Sequence, residues 1–175
     1  VTIFNDLKRK GRPIKSSKSF SFIEYAKRVC NQLLPFHEMT GHTLITSDSK
    51  CPEQLPHLDQ TPYDFKVDAD VVPWSVILCV DTHSKLVVWP RSHRHVRTNT
   101  DCAEVERVDL ELAYGDLIIF RRDLVHAGAG YTNTNHRFFA YLDHPDITRI
   151  EDDTAPIWLL TKAHTLRGRV FDSSP

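Results

Sequence analysis

The sequence predicts a mainly β domain, an antiparallel sandwich or barrel with one helix near its N-terminus. Three observations lead to that fold class. A 3.6-residue apolar period occurs once, early in the chain. After it come short runs rich in β-branched and aromatic residues, separated by turn-forming pieces such as SDSKCP, DTHSK, AYGD and GAGYTNTN. Ten prolines are spread over 175 residues, which argues against a helical bundle. The length suits one domain with one sizeable core, since single domains usually run to roughly 100–200 residues.

The elements follow in order. Residues 8–18, KRKGRPIKSSK, carry Lys8, Arg9, Lys10, Arg12, Lys15 and Lys18 without an acid, beside Gly11 and Pro13. Such a stretch predicts a mobile, solvated segment, so residues 1–18 read as a basic flexible arm and 19–175 as a single folded domain. From Ser19 to Leu34, Phe22, Ile23, Ala26, Val29, Cys30 and Leu33 recur at helical spacing and stop at Pro35, which predicts one amphipathic helix. Strands are predicted at Thr43–Thr46, Gln54–Asp59, Val71–Val80, Lys85–Trp89, Val105–Leu112, Asp116–Phe120 and Arg137–Leu142. The tail DDTAPIWLLTKAHTL predicts a short closing helix begun at Asp153 or Thr154, with Pro156 in its first turn.

Composition removes several classes of function. With 22 basic and 23 acidic residues the net charge is -1, so bulk charge names no partner. No apolar run approaches the roughly 18–20 residues of a membrane span, and the N-terminus lacks the basic-then-apolar order of a signal peptide. A soluble, intracellular protein of cytoplasm or nucleus is expected. The chain starts at Val1 and its one methionine is Met39, so any targeting segment is expected outside it. Cys30, Cys51, Cys79 and Cys102 are too far apart for a C-x-x-C site and read as reduced, mostly buried thiols.

The histidines carry the chemistry. His37-Glu38-Met39-Thr40-Gly41-His42 superficially matches a zinc-protease motif, but spacing i, i+5 sets the imidazoles about 140° apart on a helix that Gly41 and Pro35 already weaken. His144-Pro145-Asp146 reads as the turn that ends a strand, because Pro145 removes a ladder donor. His57-Leu58-Asp59 is different. On a strand, residues i and i+2 share a face about 6.5–7 Å apart, so imidazole and carboxylate can meet one metal ion while Leu58 packs on the other side. Downstream, the run Gly115 to Phe120 leads through RRDLV to His126, followed by the small residues Ala127 to Gly130. Two histidines and one carboxylate leave three metal positions open, the arrangement of non-heme iron(II) oxygenases. Arg137, eleven residues further on, offers a permanently charged fork for a carboxylate cosubstrate.

In this order, QLPHLD (54–59), LVVWPRSHR (86–94), Gly115-Asp116 through His126, and Arg137, the chain resembles the Fe(II)- and 2-oxoglutarate-dependent dioxygenases, most closely their phytanoyl-CoA dioxygenase-like branch. The resemblance implies a double-stranded β-helix, a cupin-like jelly roll, with the N-terminal helix packed on it. It implies His57, Asp59 and His126 as metal ligands and Arg137 as the partner of the far carboxylate of 2-oxoglutarate. The implied reaction consumes O2 and 2-oxoglutarate, hydroxylates an unactivated C–H bond and releases succinate and CO2. Halogenating relatives have a small residue in place of the carboxylate, so Asp59 favours hydroxylation. Two positions depart from the pattern: Arg91 stands where the turn usually has glycine, and Gly128 where a hydroxyl residue often helps hold the cosubstrate.

A small-molecule or lipid-like substrate is the first expectation, with Tyr63, Trp74 and His93 as substrate-facing candidates. For Trp74 and Tyr63 the competing reading is an ordinary core aromatic, and for His93 a solvated basic turn. The arm over 8–18 and the turn PRSHRHVR suggest a nucleic-acid substrate as an alternative, read through phosphate neutralisation. A protein side chain, or a non-catalytic jelly-roll binding domain, completes the set of alternatives.

Overall fold

The period-2 runs become strands of two five-stranded antiparallel sheets in a computed structural model that describes residues 8–14, 21–59, 72–94, 105–146 and 155–156. The elements are β1 (Arg9–Pro13), α1 (Ser21–Leu33), β2 (Glu38–Ser47), β3 (His57–Leu58), β4 (Trp74–Cys79), β5 (His83–Val88), β6 (Val108–Ala113), β7 (Leu117–Arg121), β8 (His126–Gly128), β9 (Asn135–Asp143) and β10 (Ala155–Pro156). One sheet runs β1-β2-β9-β4-β7 and the other β10-β3-β8-β5-β6. From β2 to β9 the chain passes repeatedly from sheet to sheet, which is the jelly roll, or double-stranded β-helix, that was expected.

Strand alternation sorts the side chains into layers. On β4 and β9, Trp74, Val76, Leu78, Phe138, Ala140 and Leu142 face the helix and meet Ile23, Ala26 and Cys30 of α1. The i, i+3, i+7 spacing of those three residues is the buried stripe of an amphipathic helix, although Leu33 is exposed and Leu34 packs in its place. The residues between, such as Ile77 and Phe139, turn into the space between the sheets and join Leu86, Val88 and Phe120. Burying each large apolar side chain contributes roughly 1.5–3 kcal/mol, so the helix-side and inter-sheet clusters fix the two sheets and α1. A third cluster, Leu58, Val87, Trp89, Val125, Ala127 and Ala129, lies on the outer face of the second sheet.

Two expectations at the chain ends are corrected. Residues 9–13 are not a mobile arm: they form an edge strand against β2, in register from Arg9↔Ser47 to Pro13↔Thr43. The pairing uses backbone groups and needs no apolar alternation, and an edge strand tolerates Pro13. Ala155 and Pro156 do not start a helix but pair with β3 at Leu58 and His57. The strand expected at Thr43–Thr46 is longer, Glu38–Ser47, with Gly41 at φ 62 where the β2–β9 register shifts between Thr40 and Thr43. Glycine at that bulge avoids the left-handed penalty of a side chain. Arg91, by contrast, adopts φ 67 as a non-glycine residue. No helix among the described residues is long and apolar enough to cross a membrane. Cys30, Cys51 and Cys79 are buried free thiols, and burial pushes the Cys30 thiol up to about 11.

Candidate metal centre

Two short strands of the second sheet set the centre. β3 and β8 pair antiparallel with His57 directly opposite His126, the ring centroids 4.4 Å apart. Leu58 turns to the opposite face, fully buried in the outer cluster. Asp59 follows as the strand ends, and its N–H bonds to the Arg122 carbonyl at 3.0 Å. The donor atoms of His57, Asp59 and His126 lie within 4.8 Å of one another, and among the described residues this is the group of His, Cys, Asp and Glu so arranged.

The surroundings fix which atoms point inward. His57 Nδ1 donates to the Leu55 carbonyl at 2.9 Å and His126 Nδ1 to the Leu124 carbonyl at 3.0 Å. A carbonyl can only accept, so Nδ1 carries the hydrogen and each Nε2 is left to act as a ligand. Asp59 Oδ1 stands 3.4 Å from His126 Nε2, while Oδ2 accepts a short hydrogen bond from Ser75 Oγ on β4. The donor set therefore fits a divalent ion: two imidazoles with bound tautomers and one oriented carboxylate.

Electrostatics agrees with the geometry. Burial, reinforced by the nearby charge of His126, pushes His57 down to about 4, so it is a neutral imidazole near pH 7. Burial works to raise Asp59, but attraction and a hydrogen bond from His126, then His57 and Ser75, outweigh it and hold the carboxyl well below its usual range. For His126 burial works downward, yet the Asp59 carboxylate outweighs it and raises the group above 6.5. A bound cation would take the proton's place beside Asp59.

Beside the triad lies a cavity of about 240 Å³, lined by Arg9, Gln54, Gly128 and Arg137 and by the apolar Ile45, Ile77, Leu86 and Phe139, with Tyr141. Arg137 on β9 is 3% exposed, and its Nη1 donates to Ser47 Oγ at 2.9 Å. Gln54 Oε1 accepts from the Gly128 N–H at 2.9 Å. A Cβ at residue 128 would collide with that oxygen and come within 3.1 Å of Arg137 Nη2, so glycine makes the close approach possible.

The residues singled out from sequence divide as follows. His57, Asp59, His126 and Arg137 come together around one cavity. Trp74 packs on the helix side of its sheet, away from the cavity, as a core aromatic does. His93 is helical, just after the turn at Pro90 and Arg91, and is not among the cavity's lining residues. Tyr63 lies outside the described residues. Of the competing motifs, His37 packs edge-on against His144 at 5.1 Å and His42 against Phe138 at 6.0 Å. Arg122, immediately after β7, is 2% exposed, lies over the Tyr141 ring at 4.1 Å and pairs with Asp143 at 3.2 Å. Arg121 pairs with the fully buried Asp123 at 2.9 Å. Sequence reasoning missed Arg9, Ser47, Ser75, Phe139 and Tyr141; only the strand register brings them to the site.

No family model and no curated protein matches the chain by sequence. Solved structures match its fold. It superposes on EvdMO1 with TM-score 0.58 at 16% identity, over 79% of this chain and 36% of that one. AviO1 from Streptomyces viridochromogenes Tue57 gives TM-score 0.56 at 13% identity, over 81% of this chain and 76% of that one. SnoK, a non-heme alpha ketoglutarate dependent carbocyclase from nogalamycin biosynthesis, gives TM-score 0.51 at 17% identity, over 67% and 55% respectively. The chain thus spans little more than a third of EvdMO1 and about half of SnoK, and what it shares with all three is the jelly-roll fold.

Proposed function

We infer that the chain is an Fe(II)- and 2-oxoglutarate-dependent dioxygenase that hydroxylates an unactivated C–H bond of a small-molecule or lipid-like substrate, in the phytanoyl-CoA dioxygenase-like branch. One observation carries this reading: a His-Asp-His group and a buried arginine share a single small cavity. His57, Asp59 and His126 would hold the ion, and Arg137 would pair with the far carboxylate of the cosubstrate. When bound, Fe(II) with O2 and 2-oxoglutarate supplies the oxidising equivalent that replaces a hydrogen of the substrate by hydroxyl, with release of succinate and CO2.

The chain's own part is placement. The β3–β8 pairing presents the imidazoles, the Leu55 and Leu124 carbonyls hold their tautomers, and Ser75 orients Asp59. Arg137 gives a dicarboxylate one orientation relative to the ion, and the apolar walls keep bulk water away. A cavity of about 240 Å³ suits a small acid, below the roughly 300–1,000 Å³ of drug-sized ligand sites. The nucleic-acid alternative draws less support, because Arg9 of the basic stretch turns into this cavity and Lys10 pairs with Asp48 at 3.6 Å.

The test is turnover of 2-oxoglutarate. Purified protein with Fe(II) and O2 is expected to release succinate, with loss of the product on chelation and in Asp59→Ala. Fold-intact protein that makes no succinate and gains no thermal stability from metal plus 2-oxoglutarate would be a binding domain instead.

A further inference from the structure

Of the basic residues in the N-terminal stretch, Arg9 has an unexpected place. The β1–β2 register sets it opposite Ser47, and its guanidinium reaches the cavity wall. Arg9 Nε donates to Ser47 Oγ at 3.1 Å, the same oxygen that accepts from Arg137 Nη1 at 2.9 Å. Arg9 Nη2 is anchored on the Ala129 carbonyl at 2.9 Å and the Pro52 carbonyl at 3.2 Å. Two guanidiniums that line the triad cavity thus converge on one hydroxyl, itself 0% exposed.

We propose that Arg9 is a second anion-recognising arginine of this cavity, so that a dicarboxylate is clasped at its far end by Arg9 and Arg137 together, across Ser47. The proposal rests on the dioxygenase reading for the identity of the dicarboxylate. The convergence itself is independent of that reading. An anion between two guanidiniums that line one cavity would accept charge-assisted bonds from both. Gly128 leaves room for the cluster, because a Cβ there would press on Arg137 Nη2. The N-terminal strand is then a wall of the binding site rather than a tether for polyanions.

The experiment compares wild type with Arg9→Gln, Arg9→Lys and, as a control, the exposed Arg12→Gln on the same strand. Each is loaded with Mn(II) and titrated calorimetrically with 2-oxoglutarate and with pyruvate, which has the same 2-oxo acid head and no far carboxylate. Succinate without metal is followed by thermal shift. Arg9→Gln is expected to weaken 2-oxoglutarate about 10- to 100-fold while pyruvate changes less than about twofold, and Arg12→Gln to alter neither. Arg9→Lys, which keeps the charge and loses the fork, should lose about three- to tenfold and serves if Arg9→Gln does not fold. Wild-type affinity for 2-oxoglutarate in the Arg9 variants, or an equal loss for both acids, would overturn the proposal and leave the dioxygenase reading standing. If wild type binds neither 2-oxo acid but succinate still stabilises it in an Arg9-dependent way, the dioxygenase reading falls and the two-arginine site stands. If succinate fails as well, both fall.

Discussion

His57 and His126 face each other across the β3–β8 pair, and each donates its Nδ1 hydrogen to the carbonyl two residues before it. The same local device on two strands leaves two Nε2 atoms converging beside Asp59. Removing the carboxylate should therefore remove the anionic member of the triad while leaving both imidazoles in place. Asp59→Ala is expected to weaken Mn(II) or Fe(II) binding by about 100-fold or more, with the fold retained by circular dichroism. Retained metal affinity, measured by calorimetry, would strike Asp59 from the ligand set.

Ser75 touches no ligand position itself, yet its hydroxyl holds Asp59 Oδ2 from the facing sheet. Loss of an orienting partner of this kind typically costs about 10- to 100-fold in metal affinity. Ser75→Ala should fall in that range, with pyruvate and 2-oxoglutarate affected alike because the loss acts through the ion. A variant that binds metal as wild type does would mean that backbone contacts alone orient Asp59.

The metal-free protein should respond to pH through His57. Burial and the charge of His126 hold His57 down to about 4, against an ordinary value near 6.5. Between those values the unfolded chain binds a proton at His57 and the folded chain does not. Stability from this group is full above about 6.5 and declines as pH falls towards 4. In chelator, the stability advantage of wild type over His57→Gln should shrink by on the order of 3 kcal/mol from pH 7 to pH 4.5, measured by chemical denaturation. Parallel curves for the two proteins would show that His57 is not held neutral.

The triad was legible because its geometry is local. A strand's two-residue period sets His57 and Asp59 on one face whatever the rest of the fold does, and the small residues after His126 mark a strand with room beside it. Ser75 was not legible, since a serine between Trp74 and Val76 reads like any inward position of a buried strand. Arg9 was hidden for the opposite reason. Its segment carries no apolar alternation, and its strand forms only because β2 offers an unpaired edge twenty-five and more residues later. The same holds for Ala155 and Pro156, where propensity pointed to a helix start and the edge of β3 decided otherwise. The burial of Arg122 is likewise decided by a distant strand, through the ring of Tyr141 and the carboxylate of Asp143, both on β9.

Gly128 and Gln54 offer a test of the cavity that needs neither metal nor cosubstrate. Gln54 Oε1 occupies the space that a side chain at 128 would fill and accepts the Gly128 N–H at 2.9 Å. Because the obstructing atom is the end of a flexible side chain, Gly128→Ala should displace the carboxamide and lose about one hydrogen bond, roughly 1 kcal/mol. With Gln54→Ala already in place, that obstruction is gone and the same glycine substitution should cost much less. The remaining neighbour, Arg137 Nη2 at 3.1 Å from the added carbon, sets the residue of the effect. A denaturation double-mutant cycle should thus give a coupling of about 0.5–1 kcal/mol. Strict additivity would mean that Gln54 does not fill the place left by the missing side chain.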